Sequence, residues 1–229
     1  MAEVEPADEV DENSPAWRQR AVSRSLNAAR SRAEKRAQRF LDAAFELMDE
    51  KGTTDFTIQE VIDRSKQSLR GFYQYFNGKD ELLLALFEET IRESIEDQRA
   101  AIASESDPLV RLREFVIRLH EWCDPTDAGR KRGKHNRRPI SEFMVQLVGS
   151  HPERVRAAVA PTAELLGELL VAANDAGEID IDDTRTTTAL VMRTVMYSWF
   201  GNRLATTARQ RITAEETWQF LLHGLRAGL

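Results

Sequence analysis

Between Ser68 and Lys79 the chain offers a hydroxyl, a guanidinium, two phenols, an amide and an ammonium, on Ser68, Arg70, Tyr73, Tyr75, Gln74 and Lys79. These groups donate hydrogen bonds to phosphate oxygens and read base edges; none is a nucleophile set beside a base. Elsewhere there is no Ser/His/Asp order, no Gly-rich phosphate loop and no carboxylate pair whose surroundings argue for acid–base work. The expectation is a protein that is not an enzyme. His120 and Cys123 stand three apart with no other His or Cys near them in sequence. That spacing fits a structural role, so no metal site and no cofactor are expected.

The segment needs a platform, and the residues before it supply one. Ala37, Phe40, Leu41, Ala44, Phe45 and Met48 recur at helical spacing, and Gly52 ends the stripe. Thr57-Ile58-Gln59-Glu60 is a capping box, with Phe56 and Val61 as its hydrophobic staple. Ser68 offers a fresh N-cap soon after, and the following stretch, Leu69 to Phe76, places Phe72 and Phe76 on one face and Arg70, Tyr73 and Gln74 on the other. Three short helices with a tight link before the last are the pattern of a helix-turn-helix, whose third helix enters the major groove. Leu69 is ambiguous, since helical spacing puts it with the two phenylalanines.

Beyond Lys79 every segment reads helical. The stripes are Leu82, Leu83, Leu86, Phe87, Ile91 and Ile95, then Leu112, Phe115, Val116 and Leu119, then Ile140, Phe143, Met144, Leu147 and Val148. Starts are read at Asp107-Pro108, Pro139, Pro152, Asp183 and the box Thr213-x-x-Glu216, with a stop at Gly177. No alternating run supports a strand. The expected fold is all-α: an N-terminal helix-turn-helix domain followed by a larger helical domain, to which a family resemblance carried by residues 33–87 adds ligand binding and dimerisation. The expected boundaries are 1–30 for an N-terminal extension, 31–78 for the reading head and 79–229 for the helical domain.

Charge is unevenly spread. The whole chain of 229 residues carries a net −6. Residues 1–13 hold six acids and no base, a tract expected to be disordered. From Ser14-Pro15, a helix start with Pro at the first helical position, to Arg39 there are eight bases against Glu34 alone. Arg32, Lys35, Arg36 and Arg39 fall on one face, opposite the Phe40/Leu41/Ala44 stripe, and no acid shares it. A second basic run, Gly129 to Arg138, lies in the expected loop 124–138. The single cysteine allows no intrachain disulfide, the N-terminus is acidic rather than signal-like, and the longest apolar run is Leu82 to Phe87. A cytoplasmic protein with no membrane partner is expected.

The run Gly52-Thr-Thr-Asp-Phe-Thr-Ile-Gln-Glu-Val, with Ser68-x-x-x-Phe-Tyr-x-Tyr-Phe-x-x-Lys-Asp-Glu-Leu82, resembles the DNA-binding domain of the TetR family of transcriptional repressors. The resemblance covers about residues 33–87. It implies that Thr57, Ser68, Tyr73, Tyr75 and Lys79 hold phosphates, and that Leu69, Arg70, Gly71 and Tyr73 face base edges. Two positions depart from the family pattern. Lys66 stands where a turn glycine is usual and would take a left-handed conformation, and Gln67 replaces a usual buried Val or Ile.

The resemblance also implies a homodimer on a palindromic double-stranded operator, released by an unidentified small-molecule ligand. Arg32 and Arg36 join the expected DNA contacts. Phe115, Trp122, Phe143, Met144, Met192, Met196 and Trp199 are candidate ligand-lining residues. Val191, Val195, Trp199, Leu222 and Leu225 are expected to face the second copy. A different reading stays open at this point, a helical small-molecule-binding or enzymatic protein whose helix-turn-helix only packs. An exposed Arg70/Tyr73/Lys79 set separates the two, because packing alone needs none of them.

Overall fold

From Ala16 to Lys51 the chain has neither proline nor glycine and is rich in Ala, Arg, Lys, Gln and Leu, all good helix formers. In the computed structural model, which describes residues 15–123 and 147–227, this whole run is one helix, α1 (Ala16–Lys51). The helix begins beside the start read at Ser14-Pro15, and the basic stretch forms its first half, continuous with the stripe from Ala37 to Met48. Pro15 precedes the helix rather than opening it. Gly52 closes it in a left-handed conformation, φ 67°, and its N–H donates to the Met48 carbonyl. Residues 1–13, the basic run 129–138, and Pro139, Ile140, Phe143 and Met144 lie outside the described residues.

The capping box forms as read. In α2 (Ile58–Ser65) the Thr57 hydroxyl accepts from the Glu60 N–H at 3.1 Å, and the Glu60 carboxylate accepts from the Thr57 N–H at 2.8 Å. Phe56 and Val61 are buried beneath it. Lys66 ends α2 at φ 56°, the left-handed position foreseen for it. Gln67 is half-buried and turns its amide back to the Ser65 and Lys66 carbonyls.

The third helix, α3 (Leu69–Tyr73), is capped by the Ser68 hydroxyl, which accepts from the Gly71 N–H at 3.0 Å. It is shorter than the expected run to Phe76. Gln74, Tyr75 and Phe76 leave it through a tighter turn, their N–H groups donating to the Gly71 and Phe72 carbonyls. Then follow α4 (Lys79–Ile102), α5 (Pro108–Cys123), helical residues 147–150, α6 (Pro152–Asp175), α7 (Thr184–Leu204), a short 3-10 turn (Ala208–Gln210) and α8 (Ala214–Arg226). Asp107 caps α5, Asp183 caps α7, and Thr213 with Glu216 forms a second capping box at α8. No strand occurs among the described residues, and none of their helices is long and apolar enough to cross a membrane.

Two hydrophobic clusters hold these helices. The first gathers Phe40, Met48, Phe56, Val61, Phe72 and Leu82 with further residues of α4, and reaches Leu147 and Val155. It therefore runs across residue 78, and the first half of α4 shares its core with the reading head. The second is centred on Leu112, Phe115, Leu166, Leu170, Val195 and Trp218, in the bundle of α5, α6, α7 and α8. Trp122 packs against both.

One sequence expectation is overturned here. Val191, Val195 and Leu225 are buried in the second cluster and Leu222 packs against it, so they are not free to meet a second copy. The large apolar side chains that α7 and α8 leave in solvent are others: Tyr197, Phe200, Leu204 and Phe220, the last 73% exposed. Spacing located the helices; it gave the wrong face because both faces of α7 and α8 are apolar.

A lysine in the left-handed region carries backbone strain that glycine does not. Lys66→Gly is expected to raise unfolding stability by about 1 kcal/mol, read as a higher denaturant midpoint. An unchanged or lower midpoint would show that the turn is unstrained.

Candidate nucleic-acid interface

A helix of five residues does not stand alone in water. α3 is held because Phe72 and Phe76 are buried against Phe40 of α1, with ring centroids 5.5 and 6.2 Å apart in edge-to-face arrangement. Gly71 completes the fit. A Cβ there would stand 3.2 Å from the Ser68 hydroxyl and 3.9 Å from the Phe40 ring, so its bare side faces the scaffold. The cap and the aromatic seat thus meet at one residue.

With that face used for anchoring, the other is left open. Leu69 is 50% exposed and Tyr73 53%, and Arg70 and Gln74 are exposed beside them. Leu69 is not core. Tyr73 keeps one ring edge against Phe72, which fixes the phenol without burying it. Tyr75 is half-buried, its ring 6.4 Å from Phe40 and 6.5 Å from Phe76, on the flank. Lys79, the first residue of α4, holds its ammonium 5.0 Å from the centre of the Phe56 ring, a cation–π contact that aims the charge. Ser68, Leu69, Arg70, Tyr73 and Tyr75 thus lie on or beside α3, and Lys79 opens the helix that follows it.

Ion pairs across α1 and α2 fix the platform. Arg64 reaches back from α2 to Glu50 through two hydrogen bonds of 2.8 Å, and to Glu46 at 3.2 Å. Its hydrogen bonds hold the Glu50 carboxyl below its ordinary range. Lys51 bonds Glu60 at 2.7 Å, so this one carboxylate serves both the cap of α2 and the end of α1. Thr57 is exposed, but its hydroxyl is 3.1 Å from Glu60 and committed there, unlike the Ser68 hydroxyl, whose proton remains available. Arg32 and Arg36 lie exposed on α1, Arg36 one turn before Phe40, the residue on which α3 is seated.

The ligand candidates divide. Phe115 and Met192 are buried in the second cluster, and Trp122 and Met196 pack on it half-buried. Phe143 and Met144 lie outside the described residues, and so does the Trp199 side chain, although its backbone belongs to α7. The apolar reading missed a polar row on α4. Thr90, Ser94 and Gln98 are buried at i, i+4 and i+8; the Gln98 amide donates to the Ser94 hydroxyl at 3.0 Å, and its carbonyl oxygen has no partner among the described residues. Its signal in the sequence is a glutamine amid the stripe Ile91, Ile95, Ile102. His120 and Cys123 are buried, and no group of three metal-ligating side chains occurs among the described residues.

Residues 40–86 match the family model described as bacterial regulatory proteins, tetR family. The chain carries a TetR-family helix-turn-helix. An 81-residue stretch is 30% identical to the HTH-type transcriptional regulator BetI of Brucella anthropi, covering 35% of this chain and 42% of BetI. The chain thus spans about two fifths of the length of the curated relatives it matches. Two solved structures share the all-α fold over more of the chain. RolR, in complex with resorcinol, aligns with TM-score 0.61 and 18% identity over 85% of this chain and 89% of its own. The transcriptional regulator FadR from Bacillus subtilis, in complex with stearoyl-CoA, aligns with TM-score 0.58 and 16% identity over 84% and 98%.

The Glu60 carboxyl is lowered to about 2 from an ordinary 4.5, first by its hydrogen bond from Lys51, then by those from Thr57. Because the folded state favours the anion, the stability it gives is complete above pH 4.5 and is lost as pH falls toward 2. Thermal melts over that window are expected to fall more steeply for the natural chain than for Glu60→Gln, which still caps but does not titrate. Parallel curves would mean that the pairing with Lys51 and Thr57 contributes nothing.

Proposed function

We infer that the chain is a homodimeric transcriptional repressor that binds a palindromic operator and is released from it by a small molecule. The observation that carries this reading is the open face of α3. A helix-turn-helix kept only for packing has no need to hold Leu69, Arg70, Tyr73 and Gln74 in solvent beside Ser68 and Lys79. In the groove, Arg70 would pair with a guanine edge and Leu69 with a thymine methyl. Ser68, Tyr73, Tyr75, Lys79, Arg32 and Arg36 would hold phosphates, joined by Thr57 once its hydroxyl turns from Glu60 to the backbone. Gly71, expected to face a base edge, turns its bare side to the Ser68 hydroxyl and the Phe40 ring, so its part would be to seat α3 closely on α1.

Release follows from linkage: a ligand that binds better when the two heads are wrongly spaced weakens DNA binding by the same factor. RolR and FadR, which share the fold, were each solved with a small molecule. Here Phe115, Trp122, Met192 and Met196 would supply apolar wall, and the Gln98 carbonyl would accept a hydrogen bond from the ligand. A path to the head exists. Arg154 of α6 bonds Glu88 at 3.1 Å and approaches Glu81 at 3.7 Å, and Glu81 in turn accepts from the Asn77 N–H at 2.7 Å, in the link between α3 and α4. A shift of α6 would pull on that link.

Selection of bound sequences from random duplex DNA tests the reading. The natural chain should enrich a palindrome with half-sites about 34–36 Å apart or slightly more. Arg70→Ala should relax one base pair at a cost of roughly 1–3 kcal/mol, whereas Lys79→Ala should weaken all sequences alike and lower the salt slope by about one. No enrichment by the natural chain would end the proposal.

The second copy would dock on the exposed Tyr197, Phe200, Leu204 and Phe220 face of α7 and α8. Phe220→Glu is expected to turn a dimer into a monomer in sedimentation at micromolar concentration. A natural chain that is itself monomeric there would refute dimerisation.

A further inference from the structure

The outer face of α1 extends well past the helix-turn-helix and, among the described residues, carries a long row of bases without an ion pair. Arg20, Arg24, Arg32, Lys35, Arg36 and Arg39 are all exposed. On a helix at 100° per residue they share a sector about 160° wide, opposite the side that carries Val22, Leu26, Ala29, Ala33, Ala37 and Phe40. No ion pair among the described residues involves any of the six. The acid of this stretch, Glu34, sits on the flank and is bonded to Arg30 at 2.8 Å. Elsewhere Arg64, Arg92, Arg118, Arg154 and Arg156 are each matched to a glutamate, while Arg111 and Arg193 stand singly rather than in a row of bases. A solvated helix face mixes signs, and this one does not.

The unpaired charges act against the helix they sit on. Arg20 and Arg24, Arg32 and Arg36, and Lys35 and Arg39 are like charges one turn apart, an arrangement that destabilises an isolated helix. Val22 and Leu26 are 39% and 61% exposed, so packing does not compensate in that half of α1. A polyanion along the outer face would remove the repulsion and hold the helix. The helix also emerges in the right place. At Phe40 it crosses α3, and its later turns meet α2 through Lys51, Glu46 and Glu50, so the basic half projects past the reading helix on the side away from α2.

We propose that the outer face of α1 from Arg20 to Arg39 is a second DNA-contacting surface, which follows the phosphates beyond the half-site read by α3. This rests on the DNA-binding reading above and extends it. The face is about 28 Å long, the length of roughly eight base pairs. It contributes affinity and salt dependence without sequence preference, because point charges on phosphates carry no base information. DNA is the better match than an anionic membrane: the opposite side of the helix offers Val22 and Leu26 among alanines, little apolar area to insert between lipids.

The test uses the full chain, a duplex selected by the natural protein and a random-sequence duplex, each titrated over a range of salt. Arg20→Ala/Arg24→Ala lies outside the three-helix head, and alanine favours helix, so the fold is kept. Its affinity is expected to fall by roughly ten- to thirty-fold on both duplexes, with the slope of log K against log salt lower by about two. Arg20→Lys/Arg24→Lys should restore most of both, and the selected sequence should be unchanged throughout. Natural affinity and slope in the double alanine variant, with Arg70→Ala still altering selection, would overturn this surface and leave the reading head standing. The reverse result, a charge-dependent slope with no selected sequence, would keep the surface and remove the reading head. Binding to phosphatidylserine vesicles that the double alanine variant loses, with DNA slopes unchanged, would overturn the proposal in favour of a membrane.

Discussion

Everything that α3 presents to solvent depends on the contact of Phe72 and Phe76 with Phe40. Five residues of helix supply too few hydrogen bonds to offset the entropy of ordering them, so the reading helix exists only as far as its aromatic face is buried. The edge-to-face geometry adds about 0.5–1.5 kcal/mol per ring pair to that burial and fixes rotation about the helix axis as well as position. Rotation matters most. Turning α3 by one residue, 100°, would bring Phe72 toward solvent and carry Arg70 off the outer face. The Ser68 cap and the bare Gly71 then set how closely α3 lies on α1, since any side chain at Gly71 meets the cap hydroxyl first.

The same cluster joins the head to the rest of the chain. Leu82, Leu83, Leu84, Leu86 and Phe87 belong to it together with Phe40 and Phe72, so the start of α4 moves with the reading helix. Farther along, α4 turns its polar row, Thr90, Ser94 and Gln98, into the interior, and α6 is pinned to its flank by Arg154. One helix therefore has its beginning in the head and its later turns in the C-terminal bundle. The two hydrophobic clusters are therefore bridged by one continuous helix rather than by loops alone.

Much of this was legible in the residues because it is locally encoded. Capping boxes at Thr57 and Thr213, caps at Ser68, Asp107 and Asp183, and the stops at Gly52 and Gly177 are backbone satisfactions between near neighbours, so sequence spacing states them outright. The left-handed Lys66 was legible by another route, the family resemblance, which puts a turn glycine at that position. What local spacing could not decide was which side of an element is covered. Leu69 fits both the core stripe and the outer face, and only the crossing of α1 over α3 leaves it outside. Val195 and Phe200 are equally apolar, yet α5 and α6 cover the first and the second is 53% exposed. The buried Gln98 left a signal, its place amid the stripe, but one that was missed because a lone polar residue there is ordinarily assigned to the solvent side.

The length of α1 shows the same limit from the opposite direction. Periodicity found the helix only where its apolar stripe is covered, around Phe40 to Met48, because amphipathic pattern records burial rather than helicity. The preceding half has the propensities of a helix and a faint continuation of the stripe through Ala37, Ala33, Ala29 and Leu26, but its strongest pattern is charge. A breaker-free, alanine-rich run adjoining an established helix extends it at little cost, since nucleation has already been met by the packed half. The two halves of α1 thus obey different constraints. The packed half is fixed by the core and orients the reading helix; the projecting half is free of the core, and its composition answers to whatever lies beside the head.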